Sequence, residues 1–177
     1  MWRGKKILLR VIERRDIEHF RQWLNDPEIN QYLLVFMPLS EATEERWFEK
    51  ITLSNTELVM AIESYGLDFP RRLLGNCGFH GINWKDRTAT FGIFIGDKSF
   101  WGNGYGTEAA NLLIRHGFHQ LNLHRINSSV IDYNVRSLKM HLKLGFEIEG
   151  RRRQNIFKNG AYHDEIILGL LKEQWKE

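Results

Sequence analysis

Phe100-Trp101-Gly102-Asn103-Gly104-Tyr105-Gly106-Thr107-Glu108-Ala109 is the stretch on which the reading of this chain turns. It follows a strand-like run, Thr88 to Ile95, and opens a segment of helical period whose apolar positions are Ala109, Ala110, Leu113, Ile114, Phe118 and Leu121. Three alternate glycines strip side chains from the backbone where the helix begins, and the N–H groups of a first helical turn have no partner within the helix. Such a junction suits an anion, a pyrophosphate above all. The plainer alternative is a turn that merely joins strand to helix, but that task does not require three glycines.

Upstream, Ile7 to Val11 reads as a strand. Asp16 then caps an amphipathic helix with Ile17, Phe20, Trp23 and Leu24 on one face, which Asn25-Asp26-Pro27 stops. A second helix starts at Ser40, with Glu41, Glu44 and Glu45 near its positive end and Glu44, Trp47, Phe48 and Ile51 at helical spacing. Tyr32 to Leu39 forms an apolar loop between the two. Glu57 to Ile62, Leu73 to Ile82 and Thr88 to Ile95 are strand-like runs, separated by turn-rich segments containing Gly66, Asp68 and Pro70, then Asn83 and Asp86. Short connections make them an antiparallel meander. Downstream come a strand, Arg125 to Ile131, a helix, Val135 to Leu144, and a strand, Phe146 to Arg151. A hairpin closed at Asn159-Gly160 leads into the apolar run Ile166 to Leu171. The order β-α-α-β-β-β-α-β-α-β-β, without repeat or linker, describes one α/β domain over residues 1–177.

Composition narrows the function. The chain has 177 residues, 42% apolar and 27% charged, which is ordinary for a globular protein. A net charge of +3 is too small an excess to argue for direct nucleic-acid binding. Arg71-Arg72 and Arg151-Arg152-Arg153 lack interleaved aromatics and read as solvated strand ends, although they would also suit the phosphates of a nucleotide-like cofactor. The one cysteine, Cys77, cannot form an internal disulfide, lies in an apolar stretch as a small hydrophobe, and fits a reducing compartment. Ile7 to Leu9 is too short for a secretory core, and the longest apolar run, Leu33 to Met37, is far below the ~20 residues of a membrane span. A cytoplasmic protein without membrane partner or metal site is expected.

Two nucleotide-like guests compete for the glycine loop. Gly104-x-Gly106-x-x-Ala109 satisfies the relaxed dinucleotide fingerprint, with Asp132 ending the next strand, as a nicotinamide or flavin enzyme requires. Against it, the loop follows three hairpin-linked strands, and too few residues remain after Asp132 for further parallel units.

The same residues resemble the GNAT N-acetyltransferase superfamily, whose cofactor loop reads Q/R-x-x-G-x-G/A at a strand-to-helix junction. Trp101 stands where Gln or Arg is usual, which looks like the branch of Rim-type protein N-terminal acetyltransferases. Asn134-Val135-Arg136-Ser137 followed by Leu144-Gly145-Phe146 is similar to the second family signature, and Trp23-Leu24-Asn25-Asp26-Pro27-Glu28 to the end of the first helix. The resemblance implies a mixed, mostly antiparallel twisted sheet flanked by helices, with the strand before the loop splayed from the strand ending at Ile131. It also implies acetyl-CoA as cofactor. Backbone groups of Phe94 and Ile95 would pair with the pantetheine amides, and the N–H groups of Gly102, Asn103, Gly104, Tyr105, Gly106 and Thr107 would hold the pyrophosphate. Asn134 would touch the pantetheine arm, cap the following helix, or do both.

An acetyltransferase acting on amines implies particular groups. The acceptor amine must lose a proton, the oxyanion must be stabilised, and the departing thiolate needs an acid. By resemblance that acid is a tyrosine seven residues after Asn134, a position held here by His141, which is either a proton donor or a packed helix histidine. The strand carboxylate that often serves as base is matched by Thr90, which cannot do so. His80, Glu63, Asp132 and His163 remain as bases with none singled out, and Asp164 reads as a turn or strand hydrogen-bond partner. The acceptor would be walled by Tyr32 to Leu39 and the Asn159-Gly160 hairpin. Since that loop lacks carboxylates and Glu41, Glu44 and Glu45 fit a solvated helix start, a protein N-terminal amine leads, with a polyamine or small amine behind it. A non-catalytic coenzyme A-binding module is the alternative of another class, and a homodimer is a further partner to consider.

Overall fold

The computed structural model describes residues 1–66 and 70–176, so Asp68 of the expected turn lies outside the described residues. Among the described residues eight strands pair into one sheet: β1 (Trp2–Arg3), β2 (Ile7–Val11), β3 (Leu58–Ser64), β4 (Leu73–Asn83), β5 (Thr88–Ile95), β6 (Arg125–Ile131), β7 (Glu147–Lys158) and β8 (Ala161–Leu171). Spatially they follow chain order through β6, after which β8 lies between β6 and β7. Every neighbouring pair is antiparallel except β5 with β6. Parallel strands need a crossover, and α4 (Tyr105–His119) supplies it. The sheet is therefore mixed and mostly antiparallel, as expected.

Helices cover both faces. On one, α4 buries Ala109, Ala110, Leu113, Ile114 and Phe118 against Ile62, Leu74, Phe79, Ile126, Leu168 and Leu170. Each large side chain so buried contributes roughly 1.5–3 kcal/mol before entropy is counted. On the other face α1 (Ile17–Asn25) and α3 (Glu41–Leu53) bring Phe20, Trp23, Trp47 and Phe48 against Ala61 and Phe94. The helical spacings read from the sequence thus sort into two apolar layers.

The elements the sequence did not announce have local causes. Asn25-Asp26-Pro27 ends α1 as expected, yet it also begins α2 (Pro27–Asn30), because Asp26 Oδ1 accepts the Glu28 N–H at 2.9 Å and proline suits a first helical position. Asp16 makes no side-chain cap to α1. Its carboxylate accepts instead from the Glu13 N–H at 2.8 Å and from both Nη atoms of Arg10 at 2.6 and 2.8 Å, while Arg10 Nε donates to Glu63 at 2.6 Å. The guanidinium and Asp16 are buried, so this ion group pins β2, β3 and the turn into α1 together. Finally, β7 runs well beyond Arg151, with its register to β8 shifting between Arg152 and Ile156. No helix among the described residues is long and apolar enough to cross a membrane.

The last helix, α5 (Val135–Lys143), packs beside α4 over the sheet. It begins with Asn134 Oδ1 accepting the Ser137 N–H at 3.2 Å, so the capping role expected of Asn134 is present.

Candidate active site

Pairing between β5 and β6 covers only Thr88 to Thr90 against Arg125 to Asn127. Beyond Thr90 the strands part, leaving the end of β5 without a strand partner on that side. At the apex the Ser128 hydroxyl reaches back to the Phe91 carbonyl at 3.1 Å. The splay opens a cleft of about 580 Å³ lined by Ile93, Phe94 and Ile95 of β5, the glycine loop, Tyr32 and Leu33, Tyr133, Asn134 and one side of α5.

Backbone direction along β5 corrects one expectation. The Phe94 carbonyl faces β4, only 2.1 Å from where a Cβ on Gly75 would stand. Since successive peptide groups point to opposite sides of a strand, Ile93 and Ile95 present their backbone to the cleft and Phe94 does not. The Ile95 carbonyl is already engaged, accepting from Trp101 Nε1 at 2.7 Å. That bond explains a tryptophan at this position: it ties the start of the loop to the end of β5. Arg136 stacks over the same indole at 4.8 Å.

Gly102 (φ +76°) and Gly104 (φ +85°) lie in the left-handed region, and a Cβ at either would meet nothing within 4 Å. Gly104 is the N-cap of α4 and offers no side chain to its orphan N–H groups. The loop therefore exposes bare amides to open space at the positive end of a 15-residue helix. Gly102, Gly104, Tyr105, Gly106 and Thr107 line the cleft, and so do Arg136, Lys139 and Lys143 of α5, cations to which motif reading gave no role. Asn103 is not among the lining residues; its carbonyl accepts from Lys6 Nζ at 3.2 Å. Asn134 does line the cleft, and its amide also reaches the Tyr32 carbonyl at 3.5 Å.

The structure does not bring His141 to the cleft wall. Its ring is 2% exposed, between Phe91 and Phe146 at centroid distances of 5.6 and 5.0 Å. Nδ1 donates to the Ser137 carbonyl at 2.8 Å, and Nε2 lies 2.9 Å from the Ser128 hydroxyl, whose one proton is contested between Nε2 and the Phe91 carbonyl. Burial pushes the imidazole below its ordinary pKa, and the Ser137 bond only partly offsets this. This geometry fits the packed histidine of the two alternatives.

The same cleft and loop are matched by a family model described as "Acetyltransferase (GNAT) domain", which covers residues 6–147. The chain belongs to this family. It is an acetyl-CoA-dependent N-acetyltransferase. Relatives include the uncharacterized N-acetyltransferase p20 of Bacillus licheniformis, 29% identical with 97% of this chain and 96% of that protein covered. Spermidine N(1)-acetyltransferase of Escherichia coli is 28% identical, covering 96% of this chain and 88% of the relative. The crystal structure of spermidine N-acetyltransferase from Vibrio cholerae, in complex with CoA and spermine, superimposes with a TM-score of 0.87 at 26% identity, covering 95% and 96% of the two chains.

In this N-acetyltransferase the Tyr32 to Leu39 loop and the Asn159-Gly160 hairpin, the expected acceptor walls, are joined by one lysine. Lys158, at the end of β7, is buried and bonds to Asn30 Oδ1 at 2.6 Å and to the Val35 carbonyl, joining the β7–β8 hairpin to the Tyr32 to Leu39 loop. Burial lowers its pKa below the usual lysine range. Of the four base candidates, Glu63 is held by Arg10. His163 packs on Tyr133 at 4.6 Å with Nδ1 3.7 Å from Asp132 Oδ1, beyond hydrogen-bond reach. His80 Nδ1 lies 2.6 Å from Glu57 Oε2. Asp164 accepts from the Gln154 N–H and from Arg151, and Arg152 pairs with Glu165, so these arginines answer carboxylates on β8. Arg72 likewise pairs with Asp97 at 3.1 Å, on a separate charged groove of about 780 Å³.

Proposed function

We propose that this N-acetyltransferase, acting as one domain over its 177 residues, acetylates the primary amine at a protein or peptide N-terminus. The observation that carries the reading is the acceptor-side rim. Leu34, Phe36 and Met37 on the loop and Phe157 and Tyr162 on the hairpin are all exposed, and the buried ammonium of Lys158 stands between the two elements. An apolar rim suits the side chains of a polypeptide behind its terminal amine. A polycation calls for carboxylates, and two of the three acids at the start of α3 are otherwise engaged. Glu44 is buried, which raises its pKa, and Glu45 pairs with Arg14.

The donor side fits acetyl-CoA. Open space beside Gly102 and Gly104, unpartnered first-turn amides and the cations of α5 match a diphosphate, and the backbone of Ile93 with the Ile95 N–H matches the amides of a pantetheine arm laid along β5. Asn103 faces Lys6 and contributes its amide at most. When bound, acetyl-CoA supplies a thioester whose acyl carbon accepts the amine nitrogen as the C–S bond breaks. The residues of the chain hold the diphosphate, orient the arm beside Asn134, and close the apex with Ser128.

The likeness to spermidine N-acetyltransferases favours a second reading, a polyamine acceptor. The two separate in one experiment: free thiol is followed with acetyl-CoA and a panel of N-terminal peptides, spermidine and spermine, and products are mapped by mass spectrometry. Higher kcat/KM for peptide α-amines supports the first reading. Higher kcat/KM for spermidine or spermine replaces it with the second.

A further inference from the structure

Strand register brings together three residues far apart in sequence. His80 on β4 pairs directly across from Thr90 on β5, at the last position where β5 still pairs with β6. Cross-strand neighbours point their side chains to the same face, so the imidazole stands beside the threonine that occupies the place of a strand carboxylate. Its Nε2 leans over Gly92, 3.4 Å from where a Cβ would sit, just past the apex of the splay. This is the face away from α4, since the alternate residues Ala89 and Phe91 pack into the α4 core. A carboxylate can only accept, so the 2.6 Å contact with Glu57 places the proton on Nδ1 and leaves the Nε2 lone pair free. The His80 side chain is 43% exposed, enough for an amine or a bridging water to reach it.

We infer that His80, oriented by Glu57, is the base that takes the proton from the incoming amine; the assignment rests on the amine-transfer reading above. An ammonium, whether an N-terminal one with a pKa of ~8 or an alkyl one of ~10, must shed one proton before its nitrogen has a lone pair to share. His80 Nε2 takes that proton, the freed nitrogen bonds to the acetyl carbon, and the C–S pair leaves on sulfur. A second proton departs from nitrogen as the amide forms and balances the thiolate, so the net products are amide, free thiol and one proton released from His80 to solvent. Glu57, from the segment leading into β3, is the charged group in contact with the ring; on the other side β5 presents Thr90 and Gly92, which do not titrate. Glu57 is a positioning residue, since it acts through the imidazole.

The test compares wild type, His80→Gln, His80→Ala, Glu57→Gln and His163→Gln by thiol release across pH, with acetyl-CoA affinity measured separately. His80→Gln should lower kcat/KM by ~10²-fold or more and remove the ascending limb of its pH profile, with acetyl-CoA affinity unchanged. Added imidazole should restore part of the His80→Ala rate but none of the Glu57→Gln loss, which should be the smaller of the two and fall on kcat with KM held, because that variant keeps the ring and loses only its orienting partner. His163→Gln, which alters the packing on the cleft residue Tyr133, should keep the ascending limb. A wild-type rate and pH limb in His80→Gln overturn the inference, as does their loss in His163→Gln alone. Absence of thiol release by wild type with every amine overturns the amine-transfer reading itself, a failure visible without any variant.

Discussion

Substituting Gly104 with alanine separates two costs that usually travel together. Gly104 sits at φ +85°, where an L-residue pays about 1–2 kcal/mol of backbone strain. A drop of that size lowers the melting temperature of a chain this long by roughly 2–8 °C. The new methyl meets no protein atom within 4 Å, so the free protein folds around it. The space it fills is the space the loop amides face. Displacing a diphosphate enough to lose one charge-assisted hydrogen bond costs about 1.5–3 kcal/mol, a weakening of acetyl-CoA binding by roughly 10- to 150-fold. Gly160→Ala provides the matched control, because Gly160 has φ +80°, equally open surroundings, and a place at the hairpin tip away from the loop. Calorimetric titration with acetyl-CoA and thermal melts of both variants decide the matter. Equal melting losses with weakened binding in Gly104→Ala alone are expected. Wild-type affinity in Gly104→Ala, or equal weakening in Gly160→Ala, would refute the amide cradle.

Asp16→Ala should cost about 3–5 kcal/mol in urea unfolding, because it strips the buried Arg10 guanidinium of its two-pronged partner; a loss under about 1 kcal/mol would show that the ion group is dispensable. Trp101→Phe removes the indole N–H that holds the Ile95 carbonyl, and about 0.5–1.5 kcal/mol of stability with it, while acetyl-CoA binding weakens as the loop loosens; unchanged binding would detach that bond from the site. His141 is buried with its pKa depressed, so the unfolded chain binds the proton more readily than the folded one, and stability falls as pH drops through the unfolded value near ~6.5. His141→Leu should flatten that slope in melts between pH 7.5 and 5.5, and an unaltered slope would mean that the folded protein admits the charge.

Periodicity carried much of the fold. The apolar spacing of Ala109, Leu113, Ile114 and Phe118 places the buried side chains of α4 correctly, because burial against one face imposes one period per element, whereas register shifts along β4 put Leu74, Cys77, Phe79 and Ile82 into one core at uneven spacing. β1, at two residues, is too short to show any period, and β7 is polar along most of its length, so pairing with β8 and not composition makes it a strand. In the site, a glycine spacing or a cap at Asn134 is a local property and can be read along the chain. Which peptide groups of β5 face the cleft is not local, and the slip between Phe94 and Ile93 followed from that. His141 shows the same limit from another side, since nothing in its helix announces that Phe91, Ser128 and Phe146 close over the ring.

The acceptor base illustrates why motif comparison reports losses more readily than compensations. A motif is read along one strand, and along β5 the absence of a carboxylate at Thr90 is plain. Chemistry depends instead on where a proton acceptor stands in space, and an antiparallel sheet offers each position a second occupant from the neighbouring strand within about 4.5–5.5 Å. At Thr90 that occupant is His80, and Glu57 reaches it only because the segment entering β3 passes beside β4. If an imidazole across the ladder does the work of a carboxylate on it, placing glutamate at position 90 in His80→Gln should recover activity lost with the histidine. Recovery by Thr90→Glu in that background, but not in an otherwise wild-type chain, would show that the two positions serve one site from two strands. No recovery, with the double variant folded and still binding acetyl-CoA, would mean that the face of the sheet is set for one donor geometry alone.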